Sequence, residues 1–194
     1  MTATPAVKAV EVGRREDGPV SYDADETVFE HAGRRIRLET NAQFDTLVGA
    51  FEAAVPALPE EQALAEVRGG DWVGFVRGLQ WEAPSGFVRV WTSRPDALMA
   101  HAGSGARSVV WLIAHHGITA RLFRHDPGTM LYAPLRIEAH TSSTPGTTLS
   151  FEAPGARLAG FGVNKIAQAG AELDRALGDL IEDLGLPRPA ALRR

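Results

Sequence analysis

From Arg34 onward, apolar and polar positions follow two periods. In RRIRLE they alternate, with Ile36 and Leu38 on one side and Arg35, Arg37 and Glu39 on the other, as in a half-buried strand. Phe44, Leu47, Val48, Phe51 and Val55 then fall at helical spacing. Thr40 and Asn41 are candidate N-caps, Thr40 with Gln43 reads as a capping box, and Pro56 stops the helix. Residues 57–81 read as a helical insert in two pieces. Pro59 starts the first, Gly69-Gly70 breaks it, and Asp71 caps a second with Trp72, Phe75, Val76 and Leu79 on one side.

Strand signals return in FVRVW (87–91), closed by Pro95, which opens a short helical turn. SVVWLIA (108–114) is apolar without alternation and predicts a central strand covered on both faces. A short helix over 117–125 buries Ile118 and Leu122 and ends at Pro127-Gly128. MLYAPLRIEAH alternates again. Leu131, Ala133, Leu135, Ile137 and Ala139 face inward, and Tyr132, Pro134, Arg136, Glu138 and His140 face the other way. Pro134 argues for an edge or a bulge there. STPG (143–146) predicts a hairpin turn, and TTLSFEA returns with Leu149 and Phe151 inward. The last helix has Asn164 as candidate cap, a stripe of Ile166, Leu173, Leu177, Leu180, Ile181 and Leu184, and Gly185 as its stop.

This order lacks the regular alternation of a doubly wound sheet. It predicts an α+β fold, an antiparallel-rich sheet with helices packed on one face. Residues 34–187 form the single domain, 1–33 read as a flexible N-terminal arm, and 188–194 as a C-terminal tail. A peripheral hairpin in VSYDADETVFEHAG is the alternative for part of the arm.

Composition narrows the function classes. The chain of 194 residues is 44% hydrophobic and 23% charged, the balance of an ordinary soluble globular domain. Twenty Lys+Arg against 24 Asp+Glu give −4, so neither a basic stripe nor nucleic-acid binding is expected. Without cysteine there can be no disulfide, thiolate metal site or cysteine nucleophile. The first twelve residues lack a signal-peptide core, and the longest apolar run, VVWLIA, is strand-sized. The expectation is a cytoplasmic protein with no membrane partner.

The densest polar cluster lies at 115–136: His115, His116, Arg121, Arg124, His125, Asp126, Tyr132 and Arg136. Imidazoles with a carboxylate can ligate zinc or iron, but neither HxxxH nor HExxH is present, and no metal site is expected. His116 or His125 could instead act as a general base while arginines hold an anionic or carbonyl substrate. Tyr132, Arg136 and Glu138 would lie on an exposed sheet face suited to a ligand, a dimer contact or solvent alone. Trp111, with the other tryptophans, belongs to the core or lines a pocket. AGSGA (102–106) lacks the outer glycines of a nucleophile elbow. GFGVNK (160–165) has Lys165 where a dinucleotide fingerprint needs its third glycine, so it reads as a turn into the last helix, with a phosphate beside Lys165 as the alternative. No cofactor is expected.

The stretch LIAHHGITARLFRHDPGTMLYAPLRIEAH (112–140) resembles domain-of-unknown-function family 302, through Asp126-Pro127, Leu131, Pro134, Leu135 and Arg136. FRHDP and MLYAPLR are similar to words of an actinobacterial, hence bacterial, branch. The resemblance covers roughly residues 34–187. It implies a fold similar to the TATA-binding-protein-like class, often a homodimer, and carries no established activity or catalytic residues. Two readings follow. In one, the chain binds a small organic molecule between the sheet and the C-terminal helix, oriented by Tyr132, Arg136, His115, Arg121, Asp126 and Trp111. In the other, it is a cofactor-independent isomerase, cyclase or lyase using His116 or His125. Binding is the preferred expectation.

Overall fold

The alternating segments become the strands of one antiparallel sheet, and its two faces have different fates. The computed structural model describes residues 4–5, 11–15, 18–21, 24–31, 33–141 and 146–193. They divide into two units, Met1–His31 and Ala32–Arg194. In the first, β1 (Thr4–Pro5) pairs antiparallel with β4 (Thr27–Val28), and β2 (Glu11–Arg15) with β3 (Gly18–Ser21). These pairings fall within the segment expected as an arm. The hairpin is β2–β3, and the segment read as a peripheral hairpin supplies the end of β3 and all of β4.

In the second unit, β5 (Arg35–Thr40), β6 (Val88–Ser93), β7 (Ser108–Ala114), β8 (Leu135–Thr141) and β9 (Thr147–Glu152) form a sheet of order β5-β9-β8-β7-β6. Every neighbouring pair is antiparallel. Register aligns Ile36, Phe151, Ile137 and Trp111 across one face, with Leu38, Leu149, Ala139 and Val109 in the next row. Because side chains alternate, the opposite face carries Arg37, Ser150, Glu138 and Val110, then Glu39, Thr148, His140 and Ser108. The expected STPG turn falls mostly on residues 142–145, outside those described.

The apolar face is covered by α1 (Phe44–Ala54), α5 (His116–His125), α6 (Pro154–Ala159) and α7 (Asn164–Asp183). Phe44, Val48 and Phe51 from α1, Leu122 from α5, Leu158 from α6 and Leu173, Leu177 and Ile181 from α7 join the strand residues in one core. Each such side chain contributes about 1.5–3 kcal/mol when fully buried. α7 ends in a Schellman motif: Leu186 N–H donates to the Ile181 carbonyl at 3.1 Å and Gly185 N–H to Glu182 at 2.8 Å, with Gly185 at φ 75°. The helical insert, α2 (Glu60–Glu66) and α3 (Trp72–Glu82), builds a smaller core of Leu58, Ala63, Phe75, Leu79 and Ala83 around Val88 of β6. Asp71 caps α3, accepting from Gly74 N–H at 2.7 Å. Residues 56–58 cover the edge of β6, where Arg89 N–H donates to Pro56 and Leu58 N–H to Arg89, both at 2.8 Å. After β6, Pro95 opens the short helix α4 (Pro95–Ala100).

Several local expectations give way to competing geometry. The capping box does not form: Gln43 takes the N-cap position of α1, and Thr40 Oγ1 accepts from Ala42 N–H at 3.1 Å. Likewise Val163 stands at the N-cap of α7, and Asn164 is already helical. Residues Pro127–Leu131 form a 3-10 turn, which breaks the alternation read through them and leaves Leu131 78% exposed. β8 therefore begins at Leu135, and Pro134, after a cis peptide bond, precedes a strand paired on both sides rather than marking an edge. On β7, Val109, Trp111 and Ile113 are buried while Val110 and Leu112 are half-buried, because the helical layer covers one face. The segment read as a C-terminal tail ends in a 3-10 turn, Ala190–Leu192, that buries Leu192 in the main core. Arg188 anchors it to Glu182 at 2.7 Å and to Asp179.

Leu177→Ala should lower the unfolding free energy by about 2–5 kcal/mol, since it opens a cavity between sheet and helix. Leu98→Ala, at a side chain 68% exposed, should change it by less than about 0.5 kcal/mol. Urea unfolding followed by tryptophan fluorescence checks both.

Candidate functional site

The face of the sheet turned away from the helices carries an open groove of about 810 Å³. Leu112 of β7 and Ser150 of β9 contribute to its floor, because each alternates with inward core residues. Met130, Leu131, Tyr132 and Pro134 line it from the segment before β8, and Pro154 and Arg157 from α6. Arg35, Arg136, Glu138 and Glu152 bring charge from β5, β8 and β9.

Local hydrogen bonds fix the two flanking segments. Asp126 accepts from Gly128 N–H at 2.7 Å, its carbonyl accepts from the Thr129 hydroxyl at 2.7 Å, and Thr129 is buried. Tyr132 N–H then donates to the Thr129 carbonyl at 2.9 Å, which sets where Tyr132 leaves the turn. On the other side, the buried Asp174 of α7 accepts from Gly155 N–H at 3.0 Å. Gly155 permits this: a Cβ there would collide with the Asp174 carboxylate.

The charges are unevenly paired. Arg157 makes a two-pronged contact with Glu152 at 2.6 and 2.8 Å, and its guanidinium lies 5.6 Å from the centre of the Tyr132 ring. The Glu152 carboxylate holds the Arg157 proton more tightly than usual. Tyr132 meets Phe161 edge-on at 6.0 Å. Glu138 contacts His140 Nδ1 at 2.9 Å and accepts from the Ser108 hydroxyl at 3.3 Å. Arg35 and Arg136 form no ion pair among the described residues. Three arginines against two glutamates leave the lining with one positive charge in excess. The Ser150 hydroxyl, on a residue only 7% exposed, is buried with no hydrogen-bond partner among the described residues. An orphaned hydroxyl of this kind costs about 1–3 kcal/mol.

Of the residues singled out in the sequence, the groove gathers Tyr132, Arg136 and Glu138. The others serve or sit elsewhere. Trp111 is buried on the helix-covered face, stacked on Phe51 at 4.2 Å, with Nε1 donating to Glu52 at 3.0 Å. His115 caps α5, its ring set edge-on to Phe87 at 5.5 Å. Gly86, at φ 75°, gives that imidazole room. His116 packs against Phe75 of the insert at 5.5 Å, and its Nε2 is buried without a hydrogen-bond partner among the described residues. Arg121 pairs with Glu172 of α7. His125 is exposed at the last turn of α5, and Asp126 is the cap just described. Among the described residues no three His, Asp or Glu converge as metal ligands would.

Arg35, Leu112, Ser150, Glu152, Pro154 and Arg157 were not legible as site residues. Alternation puts Arg35 on the polar side of its strand, but its neighbours across the sheet depend on register. Ser150 is marked only by its position between inward Leu149 and Phe151. A groove assembled from β5, β7, β8, β9 and α6 leaves no local sequence motif.

No family model matches the chain. No curated protein is similar to it. Among solved structures, the crystal structure of the uncharacterised conserved protein DUF302 from Bacillus stearothermophilus has the same fold, with TM-score 0.55 and 9% identity over 77% of this chain and 97% of that one. At that identity the likeness concerns fold. It agrees with the α+β class and antiparallel sheet read from the sequence.

Burial pushes both the His115 and the His116 imidazoles below their ordinary value near about 6.5. The unfolded chain therefore takes up protons first as pH falls, and stability present above about pH 6.5 is lost as pH drops toward the folded-state values. Melting temperature measured between pH 7.5 and 5 should fall for the wild type and fall less for His116→Gln. Equal slopes would contradict a buried neutral His116.

Proposed function

We propose that the chain is a member of domain-of-unknown-function family 302 that binds a small organic molecule in the groove on the open face of its sheet. Membership is supported by the FRHDP and MLYAPLR words together with the shared fold. The actinobacterial branch, the homodimer and the cytoplasmic setting rest on the sequence reading. Among the described residues, no helix is long and apolar enough to cross a membrane.

The observation that carries the binding reading is the groove itself. A concavity of about 810 Å³ with apolar walls and a few polar groups has the size and lining of a small-molecule site. The space first expected to hold the ligand, between sheet and C-terminal helix, is filled: Leu173, Leu177, Leu180 and Ile181 of α7 are at most 1% exposed. The reading therefore moves to the opposite face and keeps Tyr132 and Arg136 as ligand contacts. The acid–base alternative loses support, because neither His116 nor His125 lines the groove.

A saturation-transfer NMR screen of small aromatic and aliphatic molecules tests this. Leu112→Trp fills the floor from a half-buried position without touching the core. Molecules that bind the wild type should lose about tenfold or more in affinity to this variant. Binding unchanged by Leu112→Trp, or no binder at all, would overturn the proposal. Native mass spectrometry of the same samples should give the mass of a dimer.

A further inference from the structure

The groove's charge and its orphaned hydroxyl define the ligand more narrowly, and we infer that it is an organic monocarboxylate, held by Arg136, Arg35 and the Ser150 hydroxyl. This rests on the groove being the binding site. Arg136 and Arg35 are the two arginines in the lining without a carboxylate partner among the described residues, while Arg157 is engaged by Glu152. A guanidinium offers paired N–H donors that match the two oxygens of a carboxylate. Register places Glu152, already engaged by Arg157, between Arg35 and Arg136 in one row of this face, and Ser150 one row along on the same strand, opposite Arg37 and Glu138. The Ser150 hydroxyl, buried and unpartnered, supplies the third donor and gains the hydrogen bond it lacks.

The net charge selects the valence of the anion. One negative charge neutralises the single positive excess of the lining, whereas a phosphate dianion would leave surplus negative charge beside Glu138 and Glu152. The remaining lining selects the body of the ligand. Leu112, Leu131, Pro134 and Pro154 present hydrocarbon, and the Tyr132 ring adds an aromatic wall. A carboxylate on an aromatic or alicyclic skeleton satisfies both ends.

Titration calorimetry of the full chain at pH 7 tests this with matched probes: 2-naphthoate, its primary amide and 2-naphthyl phosphate. The acid should bind about tenfold or more tightly than either counterpart, and more weakly as salt is raised. Arg136→Gln and Arg35→Gln, both at exposed side chains, should each remove about tenfold from naphthoate affinity and leave the amide unchanged. Ser150→Ala should weaken naphthoate by a smaller factor and leave the melting temperature unchanged or raised, since it deletes an unpaired polar group. Equal binding of acid and amide, or naphthoate affinity indifferent to Arg136→Gln, would overturn the monocarboxylate while the groove stands, provided Leu112→Trp abolishes both. Tighter binding of the phosphate would overturn the charge argument. Failure of all three probes would overturn the carboxylate on an aromatic skeleton, and the groove reading falls with it only if the wider screen also gives no binder.

Discussion

Alternation along β7, β8 and β9 is the constraint on which the rest of this structure depends. Because successive side chains point to opposite faces, Trp111, Ile137 and Phe151 can form one dry row only by sending Leu112, Glu138 and Ser150 the other way. The dry row demands a cover, and α7 supplies it with a stripe running from Ile166 to Ile181. With that face sealed, the opposite one is flanked only by α6 and the turn before β8 where the groove lies. A slip of one residue in β8 would exchange Ile137 with Arg136 or Glu138, so the core and the groove are specified by the same register.

The groove is thus a by-product of one-sided packing, shaped by what flanks the sheet. The 3-10 turn ending at Leu131 and the short helix α6 rise at its sides, each tied down by a carboxylate, Asp126 in one case and Asp174 in the other. Each carboxylate accepts a backbone N–H through its Oδ1, which orders the wall it holds. Ion pairing between Arg157 and Glu152 removes one charge of each sign from the lining. Arg35 and Arg136 have no ion-pair partner among the described residues, and the buried Ser150 hydroxyl has no hydrogen-bond partner there.

Much of the architecture was legible because it depends on local periodicity. The α7 stripe, the Gly185 stop, the Asp71 cap and the inward faces of β5 and β9 follow from spacing and residue type. The failures came where neighbouring signals competed. Thr40 bonded to the nearby Ala42 N–H instead of closing a capping box with Gln43, and the 3-10 turn through Leu131 absorbed residues that alternate like a strand. The candidate site was half legible. Tyr132 and Arg136 share one short segment, whereas Arg35 and Ser150 join them only through strand order. The histidines are dense in the sequence, yet His115 and His116 pack against Phe87 and Phe75.

Chemical-shift mapping of the labelled full chain with 2-naphthoate shows whether the open sheet face is the binding surface. Perturbed amides should cluster at Leu112, Tyr132, Arg136 and Ser150, with α3 and the start of α5 silent. Shifts centred instead on His116, Phe75 and the insert would put the binding surface between α3 and α5 and rule out the open sheet face.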